Sequence, residues 1–160
     1  MRAAGVNVKG GHVLLAVVDE PTDGGLGTPV PGASGRILAN PGLSDAARLM
    51  DLKNRLLQDL RAANADAVGL LATRSYGGWK YKDAYSRIVA ICAVMMACQE
   101  LGIAYEEIKS ARVAKAVGVP AADLKSVDQR LFGFAMAPTY WTTGLAEAFS
   151  AAATVLRTED

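Results

Sequence analysis

A chain of 160 residues, 51% hydrophobic and 21% charged, is long enough to bury a full core and lies outside the compositions of disordered and fibrous proteins. Seventeen Lys and Arg against sixteen Asp and Glu leave a formal charge of +1. No global field therefore draws the chain to a polyanion, and any such site must be local. Two cysteines, Cys92 and Cys98, are too few for a structural zinc site and read as small core residues of a reducing compartment. The N-terminus has no secretory pattern, and no continuous apolar run reaches the roughly 18 residues of a membrane span. The expectation is a single domain over 1–160, soluble and cytoplasmic, with no membrane partner.

Gly5 to Val8 is strand-like, Lys9-Gly10-Gly11 is turn chemistry, and His12 to Asp19 is rich in β-branched and aliphatic residues, so the chain opens as a hairpin. Residues 20–35 are dense in Gly and Pro and predict a flexible loop that cannot continue a ladder. Arg36 to Ala39 reads as a third short strand. Ser44 offers an N-cap, and Leu49, Leu52, Leu56 and Leu60 recur every three or four residues along one helix face; Arg48, Asp51, Lys53, Arg55 and Asp59 belong to its wet side. Ala67 to Thr73 is a continuous apolar strand, and Asp83 to Leu101 is a long helix that Gly102 is placed to cap. Ala104 to Ile108 is a fifth strand. Val113 to Val117 and Ala122 to Phe134 read as short helical pieces, and Gly144 to Thr158 as a last helix. The order predicts an α/β domain with a mixed five-stranded sheet and helices on both faces.

Parts of the chain resemble one branch of the RNase H-like superfamily, the RuvC-type Holliday junction resolvases. The Gly-Val-Asn-Val opening stands where those proteins carry an Asp-bearing strand, and the apolar strand at 67–73 leads into a long Ala-rich helix. The stretch SARVAKAVGVPAADLKSV at 110–127 is similar to their Pro-x-x-Val-Lys segment, Gly turn and Ala-x-Lys-x-x-Val helix. GLAEAFSAAATVL at 144–156 is similar to their Asp-Ala-x-Ala closing helix. The opening also resembles that of a small uncharacterised bacterial family of this fold that begins Gly-Val-Glu-Ile-Lys-Gly.

The resemblance implies an RNase H-like, RuvC-type fold, a nuclease built on carboxylates that hold two divalent ions, and a dimer. Its acidic positions fall on Asn7, on or beside Thr73, and near Thr143 and Glu147, of which only Glu147 is acidic. The implied protein is a catalytically degenerate one that binds nucleic acid or a partner, with no resident metal. The alternatives are a divergent nuclease using Mg or Mn, in which Glu147, Asp19 and other acids rebuild a site, and a structural dimeric scaffold.

Among single residues, Asn7 reads as a relic of a metal site, as a contact to a ligand, or as an amide hydrogen-bonded at a strand bend beside Gly10 and Gly11. Glu147 and Thr143, four apart, share a face at the start of the last helix, where the macrodipole alone favours an acid. The loop Arg74-Ser75-Tyr76-Gly77-Gly78-Trp79-Lys80-Tyr81-Lys82 alternates cations with aromatics. Cations neutralise phosphates and aromatic faces stack on bases, the combination of single-strand binders. Lys115 and Lys125 are further phosphate candidates. Tyr140 and Trp141 either flank the same cleft or wedge a loop onto the core. His12, the only histidine, excludes a His-rich metal site and reads as an exposed strand residue. The apolar helix at 83–101 predicts a homodimer interface or complete burial.

Overall fold

The computed structural model describes residues 1–72 and 78–157. Strands β1 (Arg2–Lys9) and β2 (His12–Asp19) form an antiparallel hairpin closed by Gly10-Gly11, with Gly10 at φ 62° in the left-handed region that glycine enters without strain. Strands β3 (Thr28–Pro29) and β4 (Gly35–Ile37) both pair with β2. Helix α1 (Asp45–Ala62) leads to β5 (Ala67–Leu71), α2 (Tyr81–Leu101) to β6 (Ala104–Ile108), and α3 (Ser110–Val117) through 3-10 turns to α4 (Leu145–Leu156). The strand order is β3-β2-β1-β5-β6, with β4 beside β2; β1, β5 and β6 run parallel.

Among the described residues the sheet has six strands, where five were expected. The extra one, β3, lies inside the Gly- and Pro-rich segment that was expected to carry no ladder. It lasts only two residues and sits at the sheet edge, where the missing N–H of Pro29 leaves no partner unsatisfied. The short helical pieces expected at 122–134 are 3-10 helices, at Ala121–Ser126 and Gln129–Phe132.

The pleat divides the core by residue parity. Ala4, Val6, Val8, Val13, Leu15 and Val17 pack under α1 and α2, while Ala3, Leu14, Ala16 and Val18 pack under α3 and α4. On the second face α4 sits on the backbone of the sheet itself. A Cβ at Gly5 would stand 1.8 Å from the Ala148 carbonyl oxygen, and one at Gly69 would stand 2.5 Å from Val155 Cγ2. Gly5 and Gly69 are paired neighbours on β1 and β5. They make a flat bed, and the small residues Ala148, Ala151 and Ala152 let α4 lie down in it.

Two side chains differ from their sequence reading. Lys53 is buried, not wet: its stem lies in the α1–α2 seam and its ammonium meets Glu100 Oε2 at 2.8 Å. His12 Nδ1 accepts the Ala39 N–H at 3.3 Å, which ties the hairpin to the chain after β4. Both cysteines are free thiols, Cys98 buried and Cys92 half-buried. By length and composition α2 alone, among the described helices, is apolar enough to cross a membrane; here its inner face of Ala90, Ala93, Val94 and Ala97 packs in the core with α1 and the sheet.

Candidate functional site

The parity that sorts the core also builds a crevice. Asn7 and Lys9 share the α4 face of β1, at the carboxyl end of the parallel pair β1 and β5, where open α/β sheets bind their ligands. A cavity of about 440 Å³ opens there, lined in its polar part by Asn7, Lys9, Arg87, Ser110, Lys125 and Glu147. Five different elements supply these six side chains, so the crevice exists only in the folded chain.

Asn7 is 3% exposed, and its Nδ2 donates to the Gly144 carbonyl at 3.1 Å. Asn7 is therefore a hydrogen-bonded amide, although its partner is the residue before α4 and not the Gly10-Gly11 turn. Gly144 takes φ 122°, a conformation that side chains rarely adopt, and a Cβ there would press on Asn7 Nδ2 and Leu14 Cγ, each at 3.1 Å. This contact seats the start of α4 against β1. It brings Glu147, in the first turn of α4, to the crevice. The Glu147 side chain is 15% exposed; Lys9 Nζ lies 3.6 Å from its Oε1, and that oxygen is buried without a hydrogen-bond donor.

The other expected positions divide. Thr143 does not share a helical face with Glu147: it closes a 3-10 turn (Trp141–Thr143), is exposed, and donates its hydroxyl to the Tyr140 carbonyl at 3.3 Å. Thr73, Arg74 and Tyr76 lie outside the described residues. Trp79 and Lys80 immediately precede α2, and Tyr81 and Lys82 form its first turn instead of continuing the loop. The Arg87 guanidinium stands 5.2 Å from the Trp79 ring centroid, which links this segment to the crevice wall. Lys125 lines the crevice, and Lys115 is exposed on α3 outside it.

Asp19 belongs to the far end of the hairpin. It pairs with Arg2 at 2.6 Å, and the guanidinium holds its carboxyl below the usual carboxylate range. Asn7 and Arg2 are five residues apart on β1, about 17 Å at roughly 3.4 Å per residue, so Asp19 and Glu147 do not converge. Trp141 is a wedge: it is buried, donates to the Val127 carbonyl at 2.7 Å and packs with Phe132, Phe134 and Phe149. Tyr140 stacks under Arg36 at 4.2 Å and lines a separate cavity of about 470 Å³ beside β4.

Lys9, Arg87 and Ser110 were not anticipated. Lys9 was legible in principle, because it has the parity of Asn7 on one strand; Arg87 and Ser110 carry no such signal, being brought in by helix placement.

The donor set does not suit a pair of divalent ions. Hard cations prefer charged oxygen ligands, and among the described residues the crevice offers one carboxylate, one amide and one hydroxyl beside three cationic side chains. No group of three or more His, Cys, Asp or Glu suited to a metal occurs among the described residues.

No protein-family model and no curated protein sequence matches the chain. Solved structures do. The RuvC structure from Thermus thermophilus is similar with a TM-score of 0.79 and 21% identity, covering 96% of this chain and 92% of its own. T. thermophilus RuvC in complex with Holliday junction substrate gives 0.76 and 22%, covering 96% and 91%. The yeast mitochondrial Holliday junction resolvase Ydc2 gives 0.61 and 9%, covering 97% and 77%. The chain has the RuvC-like form of the RNase H-like fold.

Proposed function

We propose that this protein binds nucleic acid in the crevice at the end of β1 and β5 without cutting it. The observation that carries the reading is the charge of that crevice, where Lys9, Arg87 and Lys125 face a single carboxylate, Glu147. A phosphodiester is attracted to such a wall, whereas a two-metal hydrolase needs the opposite balance. Likeness in fold to a resolvase solved on a Holliday junction supports a nucleic-acid ligand. Trp79, Lys80, Tyr81 and Lys82 extend the surface along the start of α2, with Tyr81 83% exposed for stacking. Arg74 and Tyr76 complete the same sequence pattern, and Lys115 adds a cation further along α3.

The protein works as a homodimer in this reading, through the outer face of α2. Tyr85, Ile88, Cys92 and Met95 alternate at spacings of three and four, and Ile88 and Met95 are 58% and 48% exposed. That is the spacing of a helix seam that meets another helix. The free thiols suit a cytoplasmic setting.

The deciding experiment titrates the protein against labelled single-stranded, duplex and four-way-junction DNA and RNA at two salt concentrations, with Mg or Mn present and products resolved. Salt-dependent binding without cleavage is expected. Lys80→Ala with Lys82→Ala should weaken binding and lower the salt slope by about 0.7–0.9 per lost phosphate contact. Cleavage abolished by Glu147→Gln would establish the divergent nuclease instead, and absence of binding to every substrate would leave the scaffold.

A further inference from the structure

We propose that Lys9 is a resident cation standing in for a divalent ion, so that the crevice holds a backbone phosphate directly through ammonium and guanidinium groups. The ligand class rests on the reading above; the role of Lys9 rests on geometry alone. Glu147 turns a mostly buried carboxylate into the crevice, its Oε1 finds no hydrogen-bond donor among the described residues, and Lys9 Nζ lies 3.6 Å from that oxygen. A metal entering at Glu147 would have to displace that ammonium, because like charges at such separations repel strongly outside bulk water.

The neighbouring ligand position is closed by the backbone. Asn7 donates to the Gly144 carbonyl, and a carboxylate in its place would set oxygen against oxygen. The amide is thus selected by the seating of α4, and it leaves at most one neutral oxygen for a cation. Three positive side chains against one carboxylate leave the crevice cationic with no ion added. Lys9 is half exposed at the end of β1, so its removal is compatible with folding.

The test has two arms, both on the intact protein. In the first, manganese is titrated and followed by electron paramagnetic resonance. Wild type should leave the free-ion signal intact, while Lys9→Met should bind manganese. In the second arm, oligonucleotide affinity is measured in EDTA and in manganese at matched ionic strength. Wild type should be indifferent, and Lys9→Met should bind roughly five- to tenfold more weakly in EDTA, as for one lost phosphate contact, and recover with manganese. Manganese binding to wild type that Glu147→Gln abolishes would overturn the proposal, as would a Lys9→Met protein that binds no manganese. Failure of wild type to bind any oligonucleotide would overturn the proposed function, and the manganese arm would still decide the role of Lys9.

Discussion

Helices α2 and α4 are both apolar and rich in alanine, yet the fold treats them in opposite ways. Ten of the twelve residues of α4 are buried, against five of the twenty-one in α2. Helix α4 lies across the middle strands, on the Gly5–Gly69 bed, with α3 and the Phe132, Phe134 and Trp141 cluster closing its flanks. Its two hydroxyl side chains are satisfied internally, Ser150 by the Ala146 carbonyl and Thr154 by that of Ser150, each at 2.8 Å. Helix α2 uses one face against α1 and the sheet, and its opposite face carries Ile88, Met95 and Met96 in the open. Apolar composition therefore does not decide burial. What decides it is whether the neighbouring strand has given up its side chains to admit the helix.

The largest effect that would break this comparison is at Gly5. Gly5→Val drives carbon into the Ala148 backbone, where no side chain can move aside, and should cost at least ~3 kcal/mol in urea unfolding or prevent folding altogether. A folded variant of normal stability would mean that α4 is not seated on β1. The matching change on α2 is Ile88→Asp with Met95→Asp. Stability should fall by less than about 1 kcal/mol, because both positions are exposed. Sedimentation should instead shift from dimer to monomer. A wild type that sediments as a monomer would remove the dimer proposal.

The two faces of α2 can be compared chemically with less disturbance. Burial pushes the Cys98 thiol up to about 11, which leaves on the order of one thiolate in 10⁴ at pH 7. Cys92 should react first with an aromatic disulfide. Cys98 labelling in the native state should be slow and should rise about tenfold per pH unit below its pKa. Equal rates would show that the inner face of α2 opens readily.

Asp19→Asn acts on neither helix and sets the lower bound. Arg2 depresses the Asp19 carboxyl in the folded state, so the pair contributes above the unfolded value of about 3.9 and is lost as pH falls through the folded one. At these exposed groups the loss at pH 7 should be below about 1 kcal/mol. The difference from wild type should shrink on acidification and close once the pH is below the depressed folded value. A deficit that persists there would have a cause other than the Arg2 pair.

The hairpin, the central apolar strand, both long helices and the Gly102 cap were legible because each rests on local periodicity or turn chemistry. Strand β3 was not, since two residues have no periodicity and Pro29 argues against a strand until its edge position is known. Of the candidates read from the sequence, Asn7, Glu147 and Lys125 lie in one crevice. Thr143 was placed on a helix that begins two residues later, because nothing local marks the 3-10 turn. Lys53 shows the same limit from the other side: its charge reads as solvent, and only the approach of Glu100 on α2 makes burial possible.

By itself the sequence determined the order of elements, the parity that faces Asn7 and Lys9 alike, and the shortage of carboxylates at the end of β1. Those are properties of neighbouring residues and of residue type. The tertiary structure decided that Lys9 meets Glu147, that Asn7 holds Gly144, that Arg87 and Lys125 join them, and that the outer face of α2 stays uncovered. Each of these depends on how closely α4 and α2 approach the sheet, and that distance is set by glycines and alanines far along the chain from the groups they bring together.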